Sequence, residues 1–130
     1  MRAFLTGKRG DEWRWDIGNF LTDQDIEFVD PAEDLCSSAA SLFKQFKLLE
    51  GCDLLIAYFA GLRTHPLISV LEMEYASRLA KDVMVVGNLP QDRQWTRSFP
   101  YSLSFPDLEG LKAHLTTRFH SPGKHLRLIG

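Results

Sequence analysis

The chain has 130 residues, 45% of them hydrophobic and 25% charged, with a formal net charge of −2. That length and balance fit one soluble globular domain spanning residues 1–130, large enough to bury roughly two thirds of its unfolded surface without disulfide or metal staples. The near-neutral charge leaves no basic field to recruit a nucleic acid.

Arg2-Ala3-Phe4-Leu5-Thr6 reads as a short buried strand that runs into the glycine turn Gly7-Lys8-Arg9-Gly10. Asp11 is placed to cap a helix through Trp13, Ile17, Phe20 and Leu21, which recur at helical spacing. A second strand is expected over Asp25 to Asp30, ended by Pro31. A polar loop to Ser38 follows, then a helix to Glu50 with Leu42, Phe46 and Leu49 on one face and Gly51 as its stop. Leu54-Leu55-Ile56-Ala57-Tyr58-Phe59 is apolar on both faces, the pattern of a central parallel strand covered on two sides. A loop over Gly61 to Pro66 leads to a helix over Ser69 to Ala80, with Val70, Met73, Ala76, Leu79 and Ala80 apolar. Val83-Met84-Val85-Val86 is another doubly buried strand. A polar loop runs from Leu89 to Pro100, Tyr101 to Phe105 alternates as a last strand, and Pro106-Asp107 starts a helix through Leu108, Leu111 and Leu115.

Strands alternating with helices predict an α/β fold: a flavodoxin-like or Rossmann-like three-layer sandwich with a mostly parallel five-stranded sheet. Ligands in such sheets bind outside the carboxyl ends of the strands, where the strand order switches. The loops on that edge are Gly7–Gly10, Asp30–Ser38, Phe59–Ser69 and Gly87–Pro100. Strands one and three, neighbours in a flavodoxin-like order, end at the Lys8/Arg9 turn and ahead of Glu72.

Glu72 supports two readings. Ser69-Val70-Leu71-Glu72 fits a capping box, in which Ser69 accepts from a first-turn amide and Glu72 reaches back. Alternatively, a carboxylate in a first helical turn is kept ionised by the helix dipole, as a glycosyl-transferring nucleophile requires. Gly7, Lys8 and Arg9 suit an anion such as a phosphate, or form a solvated turn. Tyr58 and Phe59 end their strand on the ligand edge, where an aromatic can stack on a base or sugar, or pack in the core. His65 is a loop histidine able to protonate a leaving base, or merely solvated. Asp53 lies at the far end of its strand, away from that edge. Trp13 and Trp15 cannot share a helix face, so one is core and the other is free for the site or a partner.

Cys36 and Cys52 belong to no CxxC pair, and His114, His120 and His125 lie at no ligand spacing, so reduced thiols and neither metal nor cofactor are expected. No apolar run reaches the ~20 residues of a membrane span. The N-terminus enters a strand at once, which speaks against a signal peptide and for a cytoplasmic protein.

The chain resembles the nucleoside 2-deoxyribosyltransferase-like superfamily, in its shorter second branch, over about residues 3 to 87. The resemblance lies in Phe4-Leu5-Thr6-Gly7, in Trp13-Arg14, in Phe28-Val29-Asp30-Pro31, and most specifically in the run from Pro66 to Ala76 around Glu72. It implies a flavodoxin-like fold, a homodimer or larger homo-oligomer, and a small-molecule nucleoside or nucleotide as substrate. It also implies attack by Glu72 on C1′ of the sugar through a glycosyl-enzyme intermediate. Gly7 would line the sugar, Lys8 and Arg9 would suit a 5′-phosphate, and Ser69 would lie beside the substrate. The chain departs from that family at Glu74, which stands where it has a glycine. It departs again in lacking an aspartate or glutamate between Gly61 and Leu71, which leaves His65 or another loop to handle the base. The expected function is therefore N-glycosidic cleavage or deoxyribosyl transfer on a (deoxy)nucleoside or its 5′-monophosphate. A non-catalytic nucleotide- or partner-binding module of the same fold is the alternative, and cleavage of another N-glycoside, such as a nicotinamide nucleotide, a third.

Overall fold

A computed structural model describes residues 1–8, 10, 12–31, 39–62, 67–87 and 101–117, with the backbone alone for 39–42. The elements run β1 (Arg2–Gly7), α1 (Glu12–Asp23), β2 (Glu27–Val29), α2 (Ala39–Glu50), β3 (Leu54–Phe59), α3 (Leu67–Arg78), β4 (Asp82–Gly87) and β5 (Leu103–Phe105). A further helix, α4, covers residues 108–117. The strands form one five-stranded sheet in the order β2-β1-β3-β4-β5, with every neighbouring pair parallel. The expected α/β sandwich of flavodoxin-like type is thus observed. Strands one and three are neighbours, with Thr6 opposite Ala57 and Gly7 opposite Tyr58.

The three layers follow from the period of two along each strand. Ala3 and Leu5 of β1, Leu54 and Ile56 of β3, and Met84 and Val86 of β4 meet one apolar layer. Trp13, Ile17 and Leu21 of α1 and Leu111 and Leu115 of α4 complete that layer. The alternate residues Phe4, Leu55, Ala57, Phe59, Val83 and Val85 pack on the other face with Leu49 of α2 and Val70, Met73 and Ala76 of α3. β3 and β4 read as continuous apolar runs because both of their faces are covered.

Several boundaries differ from the sequence expectation, each for a local reason. The second strand is shorter because Asp25 closes α1 instead of opening β2. Asp25 takes φ 59, and the Ile26 amide donates back to the Leu21 carbonyl at 2.8 Å, a left-handed helix end. Helix α3 begins at Leu67, two residues earlier than expected. Its end is a second left-handed stop, with Ala80 at φ 58 and the Lys81 amide donating to Ala76. Leu79 and Ala80 are accordingly exposed rather than part of the apolar face. At the start of α4, the Asp107 carboxylate accepts from the Gly110 amide at 2.9 Å, so Asp107 does begin that helix. Asp53 takes the Arg2 amide at 2.8 Å, on the edge opposite the expected site.

Candidate active site

The carboxyl ends of β1 and β3 meet at the switch in strand order, and the turns that close β1 and β4 are both tight. Gly7 ends β1 at φ +126, and a Cβ on it would lie 2.2 Å from the Tyr58 carbonyl oxygen. Gly87 ends β4 at φ +104, and a Cβ there would meet the backbone of Phe59 and Ala60 within 2.7 Å. Glycine is needed at both positions, because side chains would collide with β3 and the backbone lies in the left-handed half of φ space. The Lys8 amide then donates to the Tyr58 carbonyl at 2.8 Å, carrying the turn over the end of β3.

Helix α1 fastens that turn from below. The Lys8 carbonyl accepts from Trp13 Nε1 at 2.7 Å and from Arg14 Nη1 at 2.8 Å. Arg14 Nη1 also reaches the Gly10 carbonyl at 2.7 Å, and its Nε donates to Asp30 Oδ1 at 3.1 Å, at the end of β2. The guanidinium lies 4.5 Å from the Trp13 ring centroid, and Trp13 stacks on Tyr58 at 4.8 Å with the planes 11° apart. One buried cation thus ties the loops after β1 and β2 together. The carbonyls of residues 8 and 10 are thus both taken by Arg14. Trp13 is the core tryptophan of the pair, and Trp15 is 72% exposed.

On the opposite face of the sheet, Glu72 of α3 meets the end of β1. Thr6 Oγ1 donates to Glu72 Oε1 at 2.6 Å, and the Thr6 and Ser69 hydroxyls are 2.8 Å apart. All three side chains are buried, Glu72 to 1% exposure. Burial pushes the Glu72 carboxyl up to about 7, and the Thr6 hydrogen bond opposes that rise.

This geometry corrects two expectations. No capping box forms between Ser69 and Glu72: with α3 starting at Leu67, Glu72 lies in the second turn, and both side chains turn to Thr6 instead. The helix dipole, which acts within the first turn, therefore does not hold the carboxyl ionised. Loss of water dominates, and the group titrates near neutrality.

The other expected residues divide between the two faces. Tyr58 belongs to the α1 face, with one ring side covered by Trp13. Phe59, its neighbour in sequence, points the other way and is fully buried in the core. Successive strand residues cannot share a face, so the two rings cannot line one wall together. Gly7 and Lys8 lie at the strand end as expected, and the Lys8 side chain is exposed. Ser69 is engaged with Thr6. Arg9, His65, Cys36 and the loop from 89 to 100 fall outside the described residues. In the sequence, Thr6 is an ordinary strand residue. Its signal was a lone hydroxyl closing an apolar strand just before the glycine turn.

Among the described residues, no group of three or more His, Cys, Asp and Glu side chains gathers where it would hold a metal ion. None of the described helices is long and apolar enough to cross a membrane.

No protein-family model and no curated protein matches the chain. Among solved structures, a CMP N-glycosidase of Clostridium botulinum, BcmB, is similar to it in fold, with a TM-score of 0.61. That match covers 90% of this chain and 99% of BcmB at 18% sequence identity. At that identity the likeness speaks for a shared fold, in line with the parallel sheet order described above.

Proposed function

We propose that this chain cleaves the N-glycosidic bond of a nucleoside or its 5′-monophosphate, with Glu72 as the nucleophile. The observation that carries this reading is the buried Glu72 carboxyl, joined to Thr6 at the carboxyl end of β1, beside the β1–β3 switch. A carboxyl titrating near 7 is available as the anion at neutral pH without being inertly paired. The fold shared with a CMP N-glycosidase supports the same class of substrate.

In the proposed reaction, a carboxylate oxygen of Glu72 bonds to C1′ as the C1′–N bond breaks. The electron pair of that bond leaves with the base, which is protonated by an acid at the site, the role proposed for His65. Water then attacks C1′ and passes its proton to the same group that protonated the base, now in its basic form, while the ester C1′–O bond breaks and its pair returns to Glu72, giving net retention. A second base in place of water would make the reaction a transfer. Gly7 would line the sugar at the β1 turn, and Lys8 with Arg9 would hold a 5′-phosphate. Tyr58 has one face committed to Trp13, and Phe59 would have to leave the core to touch a ligand, so Tyr58 would contact the substrate and Phe59 would not.

The deciding experiment is base release from nucleosides and their 5′-monophosphates, followed by chromatography. Glu72→Ala and Glu72→Gln are expected to abolish release while retaining the circular dichroism of the parent. Release by Glu72→Ala at the parental rate would sink the mechanism.

One observation favours the second reading, a binding module of the same fold. At 1% exposure, with Thr6 at 2.6 Å, Glu72 also suits a purely structural buried acid. Nucleotides that raise the melting temperature with no release of base would support the module.

A further inference from the structure

We propose that Thr6 is the positioning residue for the Glu72 nucleophile: its hydroxyl, held in turn by Ser69, fixes Oε1 and leaves Oε2 as the attacking oxygen. This rests on the reading of Glu72 as nucleophile. A hydroxyl carries one proton, and Thr6 donates its own to Glu72 Oε1 at 2.6 Å, so the 2.8 Å contact with Ser69 has Ser69 as donor. The result is a directed chain, Ser69 to Thr6 to Glu72, that spans two elements and ends on the carboxyl. Each link polarises the next, and the chain favours a negative charge at its end.

Thr6 is also the wrong residue for its place if packing alone mattered. Its predecessors Ala3, Phe4 and Leu5 are apolar and fully or almost fully buried, and Thr6 itself is only 7% exposed. A buried hydroxyl is tolerated where it is hydrogen-bonded, and here both of its partners belong to α3. Threonine is stiff at χ1, so its oxygen is aimed by the strand backbone rather than by a freely turning side chain.

Thr6 is, among the described residues, the side chain that donates to this carboxyl. Among the described residues, the hydrogen bond from Thr6 is the influence that favours the ionised form, set against burial. Several described charged groups of the neighbouring elements have partners or places of their own. On α3 itself, Glu74 pairs with Arg78. On α2, Glu50 accepts from Tyr75. β3 brings the apolar Ala57 and Phe59 to this face, and β4 brings Val83 and Val85, with Asp82 at its far end. Lys8, beyond the end of β1, is exposed.

The test is the titration of Glu72 in the full chain, read by carbon-13 NMR of labelled glutamate, beside the pH profile of kcat/KM for base release. Thr6→Val removes the hydroxyl with little change of shape. It is expected to raise the Glu72 midpoint by roughly one unit and to move the acid limb of kcat/KM upward equally. Thr6→Ser is expected to restore most of both. Ser69→Ala, which removes only the start of the chain, is expected to shift both in the same direction by less, and serves alone if Thr6→Val does not fold. A Glu72 midpoint unmoved by these variants overturns the proposal, as does a Thr6→Val change that lowers only the melting temperature. A parent with no base release at any pH, but with a Glu72 midpoint that moves, overturns the nucleophile reading instead. The NMR and kinetic arms thus separate the two failures.

Discussion

Glu72 concentrates the energetics of the site in one side chain. Its ordinary value is near 4.5, and in the fold it is pushed up to about 7, first by burial. Between those two pH values the folded chain holds a proton that the unfolded chain has released. Stability therefore falls as pH rises from about 4.5 to 7, and stays lowered above that. Two and a half units correspond to about 3 kcal/mol. Glu72→Gln, which keeps the shape without the charge, is expected to be more stable than the parent by about 3 kcal/mol at pH 8 and by about 1 kcal/mol at pH 5. Urea melts at the two pH values would show this; an equal difference at both would contradict the burial argument. Gly7 is the other residue whose chemistry is dictated by its place. Gly7→Ala puts a Cβ 2.2 Å from the Tyr58 carbonyl at φ +126, so a loss of about 3 kcal/mol or more is expected in the same assay.

At the scale of elements, α1 is as much a part of the site as α3. Its Arg14 takes acceptors from two loops, and Asp30 is drawn to the same guanidinium at 3.1 Å. Lysine keeps the charge but cannot span three acceptors with the planar fork that arginine offers. Arg14→Lys is expected to cost about 2 kcal/mol in chemical denaturation. It should also weaken the binding of any 5′-monophosphate, since the turn that Lys8 rides on is released. A variant with parental stability would show that the fork is not needed to hold the turn. Trp13-Arg14 was legible in the sequence only as a resemblance. That the pair clamps the carbonyls of residues 8 and 10 follows from the helix docking beneath the turn.

Across the whole molecule, the alternation of the central strands decides which side chains are available to a ligand. β3 sends Leu54, Ile56 and Tyr58 to the α1–α4 layer and Leu55, Ala57 and Phe59 to the α2–α3 layer. A sequence that is apolar at every position carries no period to separate the two, so Tyr58 and Phe59 look equivalent until the sheet is assembled. Phe59→Leu tests the outcome. It is expected to lower stability by about 1–2 kcal/mol through core packing, with KM for an accepted nucleotide unchanged. A raised KM at unchanged stability would return Phe59 to the site.

The succession of strands and helices, the apolar β3 and β4, and the glycine turn after β1 are all written locally, because hydrophobic period and turn chemistry act over a few residues. From them the chain by itself determined the α/β sandwich and placed Glu72 near its ligand edge. What α3 does with that glutamate was decided only by tertiary structure. Ser69 and Glu72 lie in a spacing that equally suits a helix cap, and nothing nearby in the chain reveals the competing partner. Thr6 is 66 residues from Glu72 in sequence and 2.6 Å away in space. Docking α3 on the sheet removes water from the carboxyl and supplies one hydroxyl in return. That exchange, rather than the helix dipole, sets the charge of the group on which the proposed chemistry depends.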